Sequence, residues 1–201
     1  TLVHVADTMS DEEATLVVTA GTAMYGLTEL GGLVAGESVV VTGPGPIGLM
    51  GVAVAKALGA QPVILTGTRD NRLEIGKQLG ADHVINHRED MVAQVRALGM
   101  HHVDHIAVFN DMRHWDAAVE LIRPQGGIVS IDGTDSPMPM AGMKMKAASL
   151  HWEFMFARAM HKTPDMIEQH KLLTHVAKEI DAGRIRTTVS QVLTPINAAN
   201  M

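Results

Sequence analysis

Short apolar runs alternate with longer amphipathic stretches through the middle of the chain. Val39–Thr42, Pro62–Thr66, His83–Ile85, His105–Phe109, Gly127–Ile131 and Ala147–Phe154 have the composition of buried strands. Between them, apolar residues at helical spacing predict helices over Ile47–Leu58, Asn71–Leu79, Asp90–Leu98 and Trp115–Ile122, with stops at Gly80, Gly99 and Pro124. The alternation predicts an α/β fold: a doubly wound parallel sheet of six strands with helices on both faces and right-handed crossovers. The flanks read differently. Ser10 is placed to cap a helix over Asp11–Ala20, and a second helical stretch covers Thr22–Gly31. Pro164 opens a long helix to Ile180, marked off by Gly183, and Thr188–Leu193 returns to a strand-like pattern. Ser136–Met143 lacks periodicity and reads as a loop. Three segments follow: a helical flank over 1–36, a sheet-forming core over 37–160, and a helix with a return segment over 161–201.

The first strand runs directly into Gly43-Pro44-Gly45-Pro46-Ile47-Gly48. A strand turning through glycines into a helix is the arrangement that receives a dinucleotide pyrophosphate, which makes the predicted sheet a Rossmann fold. Gly43 permits the tight turn, and a side chain at Gly45 would hold the backbone away from the phosphates. Gly48 lets the helix approach the strand, Pro46 and Ile47 lie with the three glycines at the pyrophosphate, and the free amides at the helix start face negative charge. The ligand crevice then lies beyond the carboxyl ends of the strands, beside Asn110, Asp132 and Gly133.

The end of the second strand changes the choice of cofactor. Sites selective for NAD place a carboxylate there for the ribose hydroxyls. This chain has Gly67, Thr68 and Arg69, with Arg72 three residues on. A small residue leaves room for a 2′-phosphate and a guanidinium pairs with it, so NADP(H) is preferred, with NAD(H) the alternative. Asp70 weakens the positive field, and solvated arginines opening a helix are the competing interpretation.

The net charge of −6 argues against general attraction to nucleic acid or an anionic membrane. No apolar stretch is long enough to span a bilayer, and no signal peptide is visible, so a cytoplasmic location is expected. There is no cysteine, hence no disulfide framework and no thiolate metal site, and 14 methionines are available to fill the core. His101, His102 and His105 are close in sequence but fall at a loop-to-strand transition, where helical ligand spacing does not apply. Tyr25 reads as a packed aromatic, and Asp132 as either a ribose contact or a loop cap.

Glu13-Ala14-Thr15-Leu16, Gly21-Thr22-Ala23-Met24-Tyr25-Gly26, the Gly43–Gly48 loop, Leu79–Asn86 and Leu121–Gly127 together resemble the cofactor domain of medium-chain dehydrogenase/reductases, the alcohol dehydrogenase and quinone reductase superfamily. The first ninety or so residues look like sorbitol- or threonine-type members. From about His102 onward, Ser149–Phe156 and Thr163–His170 look like zinc-type alcohol dehydrogenases. That pairing leaves an unfamiliar member and an engineered recombinant as the two readings. The resemblance implies hydride transfer to or from a carbonyl or alcohol carbon, with Asn110 and Gly133 near the nicotinamide half. It also implies a homodimer through the Ala147–Phe154 edge strand. The family's GroES-like catalytic domain has no counterpart in these residues, and Thr19 stands where many zinc-dependent relatives carry a cysteine ligand. No zinc is therefore expected in this chain. A noncatalytic cofactor-binding or assembly scaffold and a zinc-independent quinone reductase are the alternatives.

Overall fold

A computed structural model describes residues 3–189 and 192. Six strands form one parallel sheet in the order β3-β2-β1-β4-β5-β6. They are β1 (Val39–Thr42), β2 (Val63–Gly67), β3 (His83–Asn86), β4 (Val103–Val108), β5 (Ile122–Ser130) and β6 (Ser149–Trp152). The strand order reverses between β1 and β4, which opens a crevice at their carboxyl ends.

Period-two alternation sends successive strand residues into two cores. Val39, Val41, Val63, Leu65 and Ala107 enter one core, with α2 (Leu16–Tyr25), α3 (Pro46–Ala57), α4 (Asp70–Gln78) and α9 (Ile167–Asp181) against it. Val40, Ile64, Ile106 and Val108 enter the other, covered by α5 (Met91–Ala97), α6 (Trp115–Leu121) and α7 (Ala141–Lys146). Burial on both faces is why these strands read as continuous apolar runs.

The elements predicted over the expected core are all present, β1 with its expected bounds and the others with shifted ones. β5 begins earlier than the expected Gly127, continuous with the end of α6, and the β4–β5 register slips between Val103 and His105. β6 is shorter than Ala147–Phe154, because Ala147 takes a left-handed φ of 48° to end α7. The expected loop Ser136–Met143 is part helix. Met143 of α7 is buried, and Lys146 Nζ donates to the carbonyls of Val119, Glu120 and Ile122 at 2.8, 2.7 and 2.8 Å. Those carbonyls close the C-terminal end of α6, so a cation is the natural partner.

The helical flank breaks at Thr15 instead of Gly21. Ser10 and Glu13 form a reciprocal capping box on α1 (Asp11–Ala14), and α2 then runs through Gly21. A β-carbon at Gly21 would lie 2.6 Å from Leu173 Cδ2, so this glycine lets α9 approach α2 closely. The helix continues past Tyr25 as a π-turn over Gly26–Leu30. The expected Pro164–Ile180 helix starts at Ile167, preceded by α8 (Ala157–His161). Arg158 of α8 pairs with Glu29 and Asp165 and lies 4.9 Å from the centroid of the Tyr25 ring. Thr188 and Val189 form no strand, and the rest of the strand-like stretch, apart from Val192, lies outside the described residues.

At the amino ends of the strands a polar cluster ties β1, β4 and β5 together. Asp104 accepts from the Ser38 amide and hydroxyl at 2.8 and 2.6 Å and pairs with Arg123. Arg123 also reaches Glu37, which sits 2.7 Å from His105 Nε2. Burial raises the Glu37 and Asp104 carboxyls, but their hydrogen-bond and charged partners outweigh it and hold both below the ordinary range.

Candidate functional site

The glycine turn sits at the crevice, held from two sides. Gly43 has a φ of +85°, and its amide donates to the Thr66 carbonyl of β2 at 3.1 Å. A β-carbon at Gly43 would lie 2.7 Å from Asn110 Cβ, and Asn110 Oδ1 accepts from the Thr42 hydroxyl at 2.6 Å. The turn therefore rests on the end of β4. Gly45 is the N-cap of α3 without a side-chain cap, Pro46 occupies its first turn, and Ile47 packs against the first core. The first-turn amides are thus left to an external acceptor. No atom lies within 4 Å of a β-carbon built on Gly45, which faces open space.

Gly48 is required for a reason different from the expected helix–strand approach. A β-carbon there would lie 1.8 Å from the Gly43 carbonyl oxygen, inside the turn itself. The close approach of α3 to the sheet falls on Gly51, where a β-carbon would meet the Phe109 ring at 2.5 Å.

A cleft of about 290 Å³ opens beside the turn. Four of the expected residues, Gly43, Gly45, Arg72 and Asn110, line it together. Gly67 ends β2 behind the turn. A β-carbon there would come within 2.8 Å of both Pro44 Cγ and Leu73 Cδ2, so a carboxylate has no room without displacing the turn. Thr68 follows, half-buried, and Arg69 is an exposed N-cap of α4 whose carbonyl accepts from the Arg72 amide; neither lines the cleft. Gly133 and Asp132 lie on an exposed loop after β5, and Gly133 does not line the cleft either.

The cleft also gathers His87, Asp111, Arg113 and His114, none of which was expected as a site residue. The two imidazoles stack at 5.1 Å between centroids, and burial pulls both below the usual histidine range. The available signal was position: His87 directly follows β3 and the other three follow β4, at the edge where such sheets bind ligands. His105, by contrast, is buried against Glu37 at the opposite edge.

One further ionisable group is buried at the carboxyl edge. Glu153, directly after β6, is 5% exposed, and its Oε1 has no partner among the described residues. Its Cγ lies 3.6 Å from where a β-carbon at Gly26 would sit. Burial pushes its carboxyl up to about 7, against a smaller lowering by the Met155 amide.

Residues 46–170 match the family model described as zinc-binding dehydrogenase. The chain belongs to this family. The fit extends the expected medium-chain dehydrogenase/reductase cofactor domain from resemblance to membership. A zinc-type alcohol dehydrogenase-like protein of Staphylococcus aureus (strain MSSA476) is 35% identical over 168 residues, covering 83% of this chain and 50% of that protein. L-threonine 3-dehydrogenase of Pyrococcus horikoshii is 51% identical over 85 residues, 42% of this chain and 24% of the enzyme. A solved structure from Rhizobium etli CFN 42, described as a zinc-dependent alcohol dehydrogenase protein, superposes with a TM-score of 0.88 at 35% identity, covering 98% of this chain and 60% of that one. The chain spans about half the length of the curated Staphylococcus relatives it matches. Among the described residues of this zinc-binding dehydrogenase domain, no three His, Asp or Glu side chains converge as a metal-binding set. Thr19 lies half-buried in α2, and a hydroxyl is a poor zinc donor. These residues do not fit a zinc centre.

Proposed function

We propose that this chain is the dinucleotide-binding part of an oxidoreductase that moves a hydride between a nicotinamide and a carbonyl or alcohol carbon, with NADP(H) as the preferred cofactor. The observation that carries the reading is the uncapped start of α3 beside open space at Gly45, next to a cleft lined by two arginines. The first-turn amides would hold the pyrophosphate, and Asn110, bonded to Thr42, keeps the turn in the shape that presents them. With Gly67 at the end of β2 no carboxylate stands ready for the ribose hydroxyls, while Arg72 lines the cleft and Arg69 caps the start of α4. When bound, the dinucleotide supplies the hydride; the chain supplies binding, orientation and electrostatics.

Titration of the protein with NADPH and NADH tests the reading directly. Tighter binding of NADPH is expected, and Arg72→Ala should weaken NADPH with little change for NADH. Equal affinity for both nucleotides would refute the cofactor preference, and binding of neither would refute the site.

The edge of the sheet supports a second element of the proposal, a homodimer through β6. Among the described residues β6 pairs only with β5, and Trp152 and Phe154 at and beyond its end are each 49% exposed. An uncovered strand edge flanked by aromatics is a surface that a second copy of the same strand can complete.

A further inference from the structure

Arg72, His87, Arg113 and His114 reach the cleft from three separate crossovers: the start of α4, the loop after β3 and the loop after β4. Arg113 is held in place by Asp111, which accepts from its amide at 3.0 Å and from its Nε at 2.8 Å. Among the described residues the terminal Nη groups of Arg113 have no hydrogen-bond partner and Arg72 has no ion pair. A guanidinium anchored through Nε with its fork free is pre-organised for a planar or tetrahedral oxyanion. The histidine stack adds polar capacity that is only partly used among the described residues. His114 Nε2 is buried without a partner, and only His87 Nδ1 is engaged, with the Thr66 hydroxyl at 3.3 Å.

We propose that Arg72, Arg113 and the stacked His87–His114 pair form a phosphomonoester subsite whose charge is set by the two imidazoles, making selection of a 2′-phosphorylated adenosine proton-linked. The inference rests on the NADP(H) reading and names the residues that would enforce it, with Arg113 and the histidines in place of Arg69.

The charge balance explains why protons enter. The groups facing the imidazoles are Asp111 and Arg113 after β4, Arg88 after β3 and each other, with Arg72 across the cleft from α4. With neutral imidazoles, Asp111 cancels one of the two cleft arginines, leaving too little charge for a dianion. Protonation of either histidine adds a cation. A dianion arriving beside the stack favours the charged imidazole and raises its affinity for a proton. The two arginines act oppositely on the phosphate: they depress its own pKa, ordinarily about 6, and drive proton release. Net proton uptake on binding therefore reports the histidines.

The test uses isothermal titration calorimetry of the full chain with adenosine 2′,5′-bisphosphate, adenosine 5′-monophosphate and orthophosphate. The bisphosphate is expected to bind at least about tenfold more tightly than the monophosphate, consistent with a bidentate charged contact. Its advantage should grow roughly threefold between about pH 8 and pH 6.5, with net proton uptake in buffers of different ionisation enthalpy. Orthophosphate should compete only weakly, which separates a nucleotide subsite from a free-phosphate site; orthophosphate as tight as the bisphosphate would overturn the assignment. Exposed Arg113, changed to Ala, should lower the advantage of the bisphosphate over the monophosphate about tenfold. His87→Gln combined with His114→Gln should abolish the pH dependence. An advantage unchanged in Arg113→Ala, or proton release by the unaltered protein, overturns this subsite while leaving the NADP(H) reading standing. No advantage for the bisphosphate at either pH removes the NADP(H) reading itself.

Discussion

The carbonyl oxygen of Gly43 stands 1.8 Å from the point where any β-carbon at Gly48 would have to be. Gly45, three residues earlier in the same turn, has nothing within 4 Å of its own β-carbon position. Two glycines of one motif thus differ: Gly48 is required by the fold, and Gly45 is, on the proposed site, open for the ligand. Gly48→Ala should cost about 3 kcal/mol or prevent folding, because backbone must move to admit the methyl group. Gly45→Ala should leave the melting temperature within about a degree or two and weaken nucleotide binding at least about tenfold, since the methyl group enters the ligand's space. Thermal melts paired with nucleotide titrations distinguish the two; a Gly45→Ala variant that binds normally would remove the pyrophosphate from that position.

Glu153 makes stability depend on pH in a direction opposite to that of most carboxylates. Its folded-state pKa, about 7, lies above the ordinary carboxyl value. The stabilising contribution of the protonated form is complete below the unfolded pKa of 4.5 and is lost as pH rises toward 7. The penalty above that point is roughly 3 kcal/mol. Denaturant unfolding across this range should show Glu153→Gln more stable than the unaltered protein at pH 8 and nearly equal at pH 4.5. Parallel pH profiles for the two would contradict a buried neutral carboxyl.

Lys146 serves three carbonyls at the end of α6, and desolvation lowers its pKa. Lys146→Met keeps the stem and removes the donor. A loss of about 2 kcal/mol in unfolding free energy is expected, the usual scale for a charged donor leaving acceptors behind. Hydrogen exchange should quicken at α6 and α7, while nucleotide affinity stays unchanged.

The β6 edge gives a prediction about assembly. Leu150→Lys or Phe154→Lys should shift the solution mass toward monomer, measured by analytical ultracentrifugation, with the melting temperature dependent on protein concentration only for the unaltered chain. A mass insensitive to both substitutions would place any contact between copies elsewhere.

The fold was legible because its signals are local. Val39–Thr42 is a strand with the predicted bounds, and the glycine turn follows it as its spacing requires. Element ends were less legible where one residue answered to a distant partner. Gly21 falls between the two predicted helices but is an interior residue of α2 that makes way for Leu173, and the loop-like Ser136–Met143 stretch turns helical only from Ala141, where Met143 is buried and Lys146 reaches the end of α6. The site divides in the same way. The glycine turn is one contiguous motif, whereas His87 and Arg113 come from different crossovers and meet only because the parallel sheet points the carboxyl ends of β3 and β4 the same way.

The cluster of Glu37, Ser38, Asp104, His105 and Arg123 fastens β1, β4 and β5 at the end remote from the cleft. At the opposite margin a single side-chain tie among the described residues, the Thr42 hydroxyl on Asn110, joins the ends of β1 and β4 beside Gly43, so cutting it would part those two tips while the rivet at the base stays closed.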